Sequence, residues 1–527
     1  MNTKTPNALA KERVSLVSVS FLGRDLNLGV VALKSYAMKD PRVADRYSIT
    51  ISQFFIDTLE ETILSNLIKE NSTLYCFSTQ VWNIDKILGA AIKLKEAIPK
   101  TKILLGGPQA GGMSEKILLK NDFVDYVIVG DGEIAFRELL LSDDLTKVPN
   151  LSYRKEGSVV TNPIKSLENL DELPMPYESE DYRKYLDDSP KPVRSAIETS
   201  RGCTFNCGYC SWGSRRMNYF SLEKIKPAFE FLLNHPKVST VYITDSNPFL
   251  KKERAVELLS FLIEKNVHKK PITFELNPEY MNDEGLLALI TKLNNEEFAF
   301  GVQSTSKKVL EKIGRQFDAA RYKQNILLMK NLNPAIRMWF SLIIGLPGDN
   351  YHQFLESLNF ILGLEPEGIY IHELLCLPGS SFYANPKKYG LEFTEEPPHK
   401  LIRNETFTKE EYNRAKRLSY NVHLFYKIPA IKDGMYELHK GGIKLSTCYE
   451  QFVAYLDGKL DTLSGKSIEE VSSWFFEQYA AKFLEDSQNI QSLQSLYSSF
   501  RDSIAMNPQS SEVEVSAEHT VASNIDN

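Results

Sequence analysis

The chain has 527 residues, of which 43% are hydrophobic and 25% are charged, a composition typical of globular proteins. Its 62 Lys and Arg residues against 68 Asp and Glu residues give a net charge of −6, which argues against general electrostatic binding to nucleic acid. The first residues lack the apolar core of a signal peptide, and no run reaches the roughly 18 apolar residues of a membrane span. A chain of this length is expected to form two or three domains.

Residues 1–140 alternate short β-rich runs with amphipathic helical segments. The runs are 14–20, 47–52, 74–78, 102–107 and 124–130. This alternation is typical of an α/β fold with a flavodoxin-like, doubly wound parallel sheet, which binds ligands at the carboxyl ends of its strands. Residues 141–192 are rich in proline and acidic residues, and we expect them to form an irregular connector.

A second alternation of strands and helices occupies residues 193–385. Its strand-like runs are 194–200, 238–244, 272–276, 298–304, 336–345 and 368–377. Six such units predict a partial (β/α)6 barrel with its chemistry at the C-terminal ends of the strands. Residues 386–505 have helical spacing and predict a mostly helical C-terminal domain that covers the open end of the barrel. The polar residues 506–527 predict a disordered tail.

Three of the six cysteines lie close together in the sequence RGCTFNCGYCSWG, at Cys203, Cys207 and Cys210. Thiolates are soft ligands that suit iron–sulfur clusters and zinc. A [4Fe–4S] cluster normally takes four cysteines, so a loop with three leaves one iron open to a further chelating ligand. The alternatives are a structural zinc site, which usually takes four protein ligands, and three thiols that bind no metal.

This loop resembles the cluster loop of the radical S-adenosylmethionine family, in which an aromatic residue precedes the last of three closely spaced cysteines. The resemblance covers roughly residues 193–385. It implies a [4Fe–4S] cluster on Cys203, Cys207 and Cys210, with S-adenosylmethionine chelated by the open iron and cleaved to a 5′-deoxyadenosyl radical. It also implies an electron donor such as flavodoxin or ferredoxin.

The same resemblance places a set of residues from the barrel segments at S-adenosylmethionine. These residues are Tyr209, Asp245, Asn247, Glu275, Gln303, Ser304, Arg315 and Leu377. Carboxylate and amide side chains can receive an ammonium group, and arginine suits a carboxylate. Asp245 has the alternative role of a helix N-cap, and Glu275 that of a solvated barrel residue.

The segments LLGGPQAGG and VDYVIVGDGEIAFRELL resemble the cobalamin-binding domain that precedes the barrel in many enzymes of this family, the class B methyltransferase type. The resemblance covers about residues 14–140. A flavodoxin-like domain without a corrin is the alternative. The residues that the resemblance places at cobalamin are Ser78, Thr79, Gln80, Gly106, Gly107, Pro108, Gln109, Gly130, Gly132 and Glu133.

The N-terminal domain departs from many cobalamin domains because it contains no histidine. In those domains the histidine of an Asp-x-His-x-x-Gly motif binds cobalt from below. Here the first histidine of the chain is His235, in the barrel section. We therefore expect the lower face of a bound corrin to carry water, another side chain or nothing.

Together, the two resemblances imply a cobalamin-dependent C-methyltransferase that acts on an unactivated or weakly activated carbon of a small molecule or a peptide, as in natural-product modification. The alternatives are ring formation or rearrangement without net methylation, and a non-catalytic redox or corrin sensor. The sequence indicates no catalytic acid–base pair, since His372 and Glu373 more often act as structural hydrogen-bond partners beside a barrel strand. Six cysteines in a chain of this length do not form a disulfide framework, so we expect a cytoplasmic protein. From the net charge and the lack of long apolar runs, we expect no nucleic-acid partner and no membrane partner.

Overall fold

The computed structural model describes residues 11–21, 26–212, 215–281, 283–294, 298–456 and 466–480, together with 482, 495, 496 and 498. The predicted tail and most of the last part of the predicted C-terminal domain lie outside the described residues. In the described part of the chain, no helix combines the length and the apolar character that crossing a membrane requires.

Among the described residues, seven strands form an N-terminal sheet in the order β2-β1-β3-β4-β5-β6-β7. The strands are β1 (Glu12–Ser20), β2 (Tyr47–Phe55), β3 (Leu74–Ser78), β4 (Lys102–Gly106), β5 (Tyr126–Ile128), β6 (Leu151–Lys155) and β7 (Ser158–Thr161). The helices are α1 (Leu28–Ala37), α2 (Pro41–Arg46), α3 (Glu60–Glu70), α4 (Ile84–Ala97), α5 (Pro108–Gly112), α6 (Ser114–Lys120) and α7 (Glu133–Leu141). β1 to β5 are parallel, so the predicted doubly wound sheet is confirmed.

Strand β1 shows why these runs are almost continuously apolar. Val14 and Leu16 belong to the core on one face of the sheet, whereas Val17 and Val19 belong to the core on the other face. A strand covered by helices on both faces buries successive side chains in opposite directions, so nearly every position favours an apolar residue.

The predicted connector differs from the irregular segment that we expected. β6 and β7 pair antiparallel with β5 and with each other, and so extend the sheet. Glu156 and Gly157, between them, both have positive φ, which is the conformation of a type I′ hairpin turn. The two-residue Glu-Gly turn is the signal that the sequence analysis overlooked. Helix α8 (Glu180–Asp188) ends this region.

The second sheet is the predicted partial barrel, with strand order β15-β14-β13-β12-β11-β8. The strands in chain order are β8 (Val193–Ile197), β9 (Ser200–Cys203), β10 (Arg215–Tyr219), β11 (Val238–Ile243), β12 (Ile272–Leu276), β13 (Phe298–Gln303), β14 (Met338–Ile344) and β15 (Gly368–Glu373). β9 and β10 form a separate antiparallel hairpin. The helices are α9 (Leu222–Asn234), α10 (Lys252–Lys265), α11 (Glu284–Ile290), α12 (Lys307–Ile313), α13 (Ala319–Leu332) and α14 (Tyr351–Leu362).

The C-terminal part is mostly helical, as predicted, but it includes a β-hairpin that the sequence analysis did not predict. Its elements are α15 (Ser381–Ala384), α16 (Pro386–Tyr389), β16 (Leu391–Phe393), β17 (Leu401–Asn404), α17 (Lys409–Tyr426), α18 (Pro429–Lys440), α19 (Leu445–Tyr455), α20 (Ile468–Trp474) and a π-helix (Phe475–Ala480). The aromatic residues form a core, as expected: Phe452 packs against Phe475 and Tyr479, with ring centroids 5.4 and 4.8 Å away.

Both edges of the open barrel are covered by other parts of the chain. At the β8 edge, the Tyr177 hydroxyl of the connector donates to the Ala196 carbonyl. At the β15 edge, His423 of α17 donates from Nδ1 to the Ile369 carbonyl at 3.1 Å. An exposed edge strand can pair with a strand of another chain. These contacts cover the two edge strands, β8 and β15, and so oppose such pairing.

Candidate cofactor-binding sites

The cluster loop follows β9 and is held from two sides. The Gly208 amide donates to the Ile313 carbonyl at 2.8 Å, and the Gly208 carbonyl accepts from the Phe382 amide at 2.9 Å. A Cβ at position 208 would overlap the Phe382 ring, so only glycine fits this close approach. Cys207 is buried, whereas Cys203 and Cys210 are half-buried.

The donor set of this loop consists of three soft cysteine sulfur atoms, and none of the three cysteines forms a disulfide. In the described part of the chain, no group of three or more His, Cys, Asp or Glu side chains is gathered closely enough to hold a single metal ion. Three thiols on one loop fit a [4Fe–4S] cluster with an open iron.

Arg315 lies next to this loop as a buried cation. Its Nη1 donates to the Tyr209 hydroxyl at 3.3 Å, and its Nη2 donates to the Gly301 carbonyl. Burial by itself lowers the pKa of Arg315, but Tyr209 and Cys207 raise it more, so the guanidinium stays charged. Burial also raises the pKa of the Tyr209 phenol. Arg315 Nε is buried without a partner among the described residues, which leaves one donor for a ligand.

Gln303 ends β13 in an unusual conformation. Its φ is 66°, in the left-handed region that a non-glycine residue rarely adopts, and such strain is often found at functional sites. Its Nε2 lies 3.5 Å from Ser341 Oγ, while its Oε1 is buried with no partner in the described chain. The next residue, Ser304, is buried and its hydroxyl accepts from the Ser306 amide at 3.2 Å. Ser304 therefore shapes the turn after β13.

Asp245 is buried after β11, and its carboxylate is occupied by other residues of the chain. It accepts from the Thr199 amide at 2.7 Å, from Thr199 Oγ1 at 2.6 Å and from Ser200 Oγ at 2.5 Å. Burial raises its pKa to about 6. The helix N-cap alternative is wrong, because α10 begins only at Lys252. Asp245 instead anchors the strand that leads to Cys203.

The remaining residues expected at S-adenosylmethionine also lie toward this end of the barrel. Asn247 accepts from the Phe249 amide at 3.4 Å, and its Nδ2 is buried with no partner within the described ranges. Glu275 lies on β12 between the buried Phe274 and Leu276, so it is on the opposite face from them. Leu377 is half-buried and follows β15.

The turn after β4 contains two glycines in different surroundings. A Cβ at Gly106 would meet no atom within 4 Å, so open space lies above this residue. Gly107 has φ 94°, and a Cβ there would overlap the Thr79 carbonyl oxygen. Pro108 begins α5 directly after the turn. The backbone at Gly106 thus forms a cradle that a flat ligand such as a corrin or its nucleotide tail could approach.

Thr79 differs from the expectation that it offers its hydroxyl to a ligand. It is fully buried, donates from Oγ1 to the Gly106 carbonyl at 2.6 Å and accepts from the Ala110 amide at 3.0 Å. Its hydroxyl therefore holds the glycine turn in place. On the same loop, Ser78 Oγ accepts from Asn27 Nδ2 at 3.5 Å. The backbone N–H of Gln80 donates to Asn83 Oδ1 at 2.7 Å.

The sequence analysis missed Trp82, two residues beyond the predicted segment. Its ring lies 5.7 Å from that of Phe21, and its indole N–H is buried with no hydrogen-bond partner in the part of the chain that the structure describes. An aromatic residue directly after the predicted ligand loop was the available signal. This unpaired indole N–H could donate a hydrogen bond to a polar ligand at the candidate cobalamin site.

Gln109 departs from its predicted role as a cobalamin contact. It is buried, and its Nε2 lies 2.8 Å from Nε2 of His399, which is itself fully buried. The Gln109 amide therefore joins α5 to the C-terminal part of the chain. In the same helix, a Cβ at Gly112 would lie 2.6 Å from Pro378, so α5 packs closely against the segment after β15.

The GDGE loop, Gly130–Glu133, also contacts the barrel. Gly130 has φ 80°, and a Cβ at Gly132 would lie 2.9 Å from Leu33 Cδ2, so both positions favour glycine. Glu133 is 5% exposed and its Oε1 lies 3.1 Å from Arg201 Nη2. Its Oε2 is buried and finds no partner in the described residues.

Comparison with known protein families identifies both the N-terminal domain and the barrel. The Radical SAM superfamily model matches residues 197–361, and the B12 binding domain model matches residues 16–140. The chain combines a radical SAM domain with a B12-binding domain. The radical SAM domain implies S-adenosylmethionine and a [4Fe–4S] cluster, and the B12-binding domain implies cobalamin.

Proteins that share this combination are similar over most of the chain. The cobalamin-dependent radical SAM methyltransferase TokK of Streptomyces tokunonensis is 28% identical, over 82% of this chain and 68% of TokK. The 2-(S-pantetheinyl)-carbapenam-3-carboxylate methyltransferase of Streptantibioticus cattleyicolor is 26% identical, with the same coverage of 82% and 68%. The structure of the cobalamin-dependent S-adenosylmethionine radical enzyme OxsB with aqua-cobalamin bound has a TM-score of 0.66 at 14% identity, over 97% of this chain and 82% of OxsB.

Proposed function

We propose that this chain is a cobalamin-dependent radical S-adenosylmethionine C-methyltransferase. The observation that carries the proposal is a shared wall between the two candidate sites. Pro378 packs against Gly112 of α5, which follows the glycine turn, and Phe382 holds Gly208 of the cluster loop. One five-residue segment, 378–382, therefore contacts both α5 and the cluster loop, so ligands of the two sites would lie side by side.

When bound, S-adenosylmethionine on the cluster supplies a 5′-deoxyadenosyl radical, and cobalamin supplies a transferable methyl group. The protein's own part is to bind, to orient and to exclude water. Cys203, Cys207 and Cys210 would hold the cluster, and the open space over Gly106 would receive the corrin. Asp245 fixes the strand that leads into the cluster loop.

The buried groups without partners would orient S-adenosylmethionine. Arg315 offers a charged donor, Gln303 an amide oxygen and Asn247 an amide donor. An unpaired polar atom in a buried place costs free energy unless a ligand or water completes it, so these three positions favour a polar ligand. Residues 193–385 would form the radical SAM barrel and residues 1–140 the cobalamin domain.

The proposed substrate is a small molecule or a peptide with an unactivated or weakly activated carbon. The support is the relative 2-(S-pantetheinyl)-carbapenam-3-carboxylate methyltransferase, whose name gives a small molecule as the substrate. We also propose that flavodoxin or ferredoxin supplies the electron. The six cysteines, none of which forms a disulfide, suit a reducing compartment such as the cytoplasm.

The test is anaerobic reconstitution with iron, sulfide and cobalamin, followed by incubation with methyl-deuterated S-adenosylmethionine and a panel of carbapenam and peptide substrates. Each turnover should consume two molecules of S-adenosylmethionine, one released as S-adenosylhomocysteine and the other as 5′-deoxyadenosine and methionine. Mass spectrometry should find the label in the product with a gain of one CH₂ equivalent. A Cys207→Ala variant is the control and should form no 5′-deoxyadenosine.

Two other outcomes would contradict this assignment, and one would change only the mechanism of methyl transfer. Formation of 5′-deoxyadenosine with an altered but unlabelled product would indicate ring formation or rearrangement. A labelled product without 5′-deoxyadenosine would indicate polar methyl transfer. Binding of both cofactors without cleavage of S-adenosylmethionine under reducing conditions would indicate a sensor.

A further inference from the structure

We propose that Arg201 is a positioning residue that couples the GDGE loop of the B12-binding domain to the cluster loop of the radical SAM domain. The proposal rests on the proposed function, because it concerns the distance between the two cofactors. Arg201 lies on β9, two residues before Cys203. It was not among the predicted site residues, since its partners Asp131 and Glu133 are far away in the chain.

Arg201 makes one contact within its own domain and two across the domains. Its Nε and Nη2 bind the two oxygens of Glu198 at 3.0 and 2.9 Å, which is the bidentate geometry of a strong arginine–carboxylate pair. Nη2 also lies 3.1 Å from Glu133 Oε1, and Nη1 lies 3.7 Å from Asp131 Oδ1. The guanidinium is thus shared between the barrel and both acidic residues of the GDGE loop.

The environment makes these contacts stronger than surface ion pairs. The side chain of Arg201 is 20% exposed, that of Glu133 6% and that of Asp131 14%. Without Arg201, three partly buried carboxylates would face one another, and their repulsion would push the GDGE loop away from β9.

Arg201 is connected to a predicted cluster ligand, Cys203, by a short stretch of backbone. Gly202, with φ 105°, separates Arg201 from Cys203, and Cys203 pairs with Arg215 of β10. On the other side, Asp245 holds Thr199 and Ser200. The strand into the cluster loop therefore has one anchor inside the barrel, at Asp245, and one in the B12-binding domain, which Arg201 provides.

The test is the cobalt–cluster distance, measured by dipolar electron paramagnetic resonance between cobalamin in the Co(II) state and the reduced cluster. The wild-type protein should give one narrow distance distribution. Arg201→Met should broaden or shift it and should weaken cobalamin binding about tenfold, because the GDGE loop must then be ordered by the ligand. Its iron and sulfide content should stay at the wild-type level, since the three cysteines remain.

Matched variants separate this role from a general loss of stability. Arg201→Lys keeps the positive charge but lacks the planar guanidinium that binds a carboxylate with two hydrogen bonds. Its cobalt–cluster distance distribution should therefore lie between those of the wild type and of Arg201→Met. Glu133→Gln should broaden the distance distribution less than Arg201→Met does. If Arg201→Met does not fold, Glu133→Gln replaces it as the test variant. Lys34→Met is the control, because it breaks the ion pair of 2.8 Å between α1 and Asp181 of α8 and should leave the distance unchanged.

The outcomes distinguish this proposal from the proposed function. An unchanged distance distribution in Arg201→Met and Glu133→Gln, with both cofactors bound, would overturn the positioning role and leave the methyltransferase assignment intact. Equal broadening in Lys34→Met would show that any loss of an inter-element ion pair has this effect, which also overturns it. A wild-type protein that binds no cobalamin would refute the proposed function, and the positioning role with it.

Discussion

The glycine turn after β4 allows a sharp test of the cobalamin site, because its two glycines respond differently to the same substitution. At Gly106, an added methyl group would meet no protein atom within 4 Å. At Gly107, the φ of 94° and the overlap with the Thr79 carbonyl both oppose an added methyl group. Alanine at the first position should therefore affect the ligand, and alanine at the second should affect the fold.

The magnitudes follow from these surroundings. For the protein without cofactors, Gly106→Ala should change the free energy of unfolding by less than about 1 kcal/mol, as for glycine-to-alanine changes at compatible positions. With cobalamin bound, the methyl group would intrude on a close contact, and overpacking costs about 1–3 kcal/mol. The dissociation constant of cobalamin should then rise roughly 5- to 150-fold. Gly107→Ala should instead destabilise the cofactor-free protein by about 1–3 kcal/mol from backbone strain alone.

The assay combines titration of cobalamin, followed by absorbance, with thermal denaturation of the cofactor-free variants. Gly106→Ala should melt like the wild type and bind cobalamin weakly. Gly107→Ala should melt at a lower temperature. Wild-type cobalamin affinity in Gly106→Ala would refute the reasoning, because it would mean that cobalamin does not approach the backbone at this turn.

Two further predictions concern the metal ligands. Alanine at any cysteine of the cluster loop should abolish iron binding and cleavage of S-adenosylmethionine, whereas alanine at any of the three buried cysteines elsewhere should leave the iron content intact. The two sets are Cys203, Cys207 and Cys210, and Cys76, Cys376 and Cys448. The Co(II) form of bound cobalamin should show no nitrogen splitting from a protein imidazole in its electron paramagnetic resonance spectrum. No histidine precedes His235, and the buried His399 already contacts Gln109 and the Thr394 carbonyl, so splitting lost on replacing His399 would contradict this expectation.

The sequence allowed the local features of this fold to be predicted, because their causes are local. Each barrel strand was visible as a short apolar run, and the cluster loop was visible because its three thiols lie within one turn-rich segment. The β6–β7 hairpin was also local, and the Glu156–Gly157 turn could have revealed it. It was missed because proline and acidic residues nearby suggested an irregular segment.

Contacts between distant parts of the chain could not be predicted in the same way. Gln109 looked like a ligand contact because it follows a glycine pair, yet its partner His399 is 290 residues away. Glu133 was predicted as a cobalamin contact, yet one of its carboxylate oxygens binds Arg201 of the barrel. In both cases the local pattern marked a loop but not the partner of its side chain, because the packing of the domains decides which side chains face the other domain.

Buried polar atoms without partners support the S-adenosylmethionine site only together with the contacts around them. Such atoms also occur in places with no sign of a ligand, for example the Tyr449 hydroxyl in the C-terminal core, so an orphaned atom by itself does not identify a site. Asn247, Gln303 and Arg315 differ because they come from three separate segments, after β11, at the end of β13 and after α12. Arg315 also contacts Tyr209 inside the cluster loop. Gln303 and Arg315 also lie next to each other beside Gly301, so one polar ligand at this place would complete both side chains.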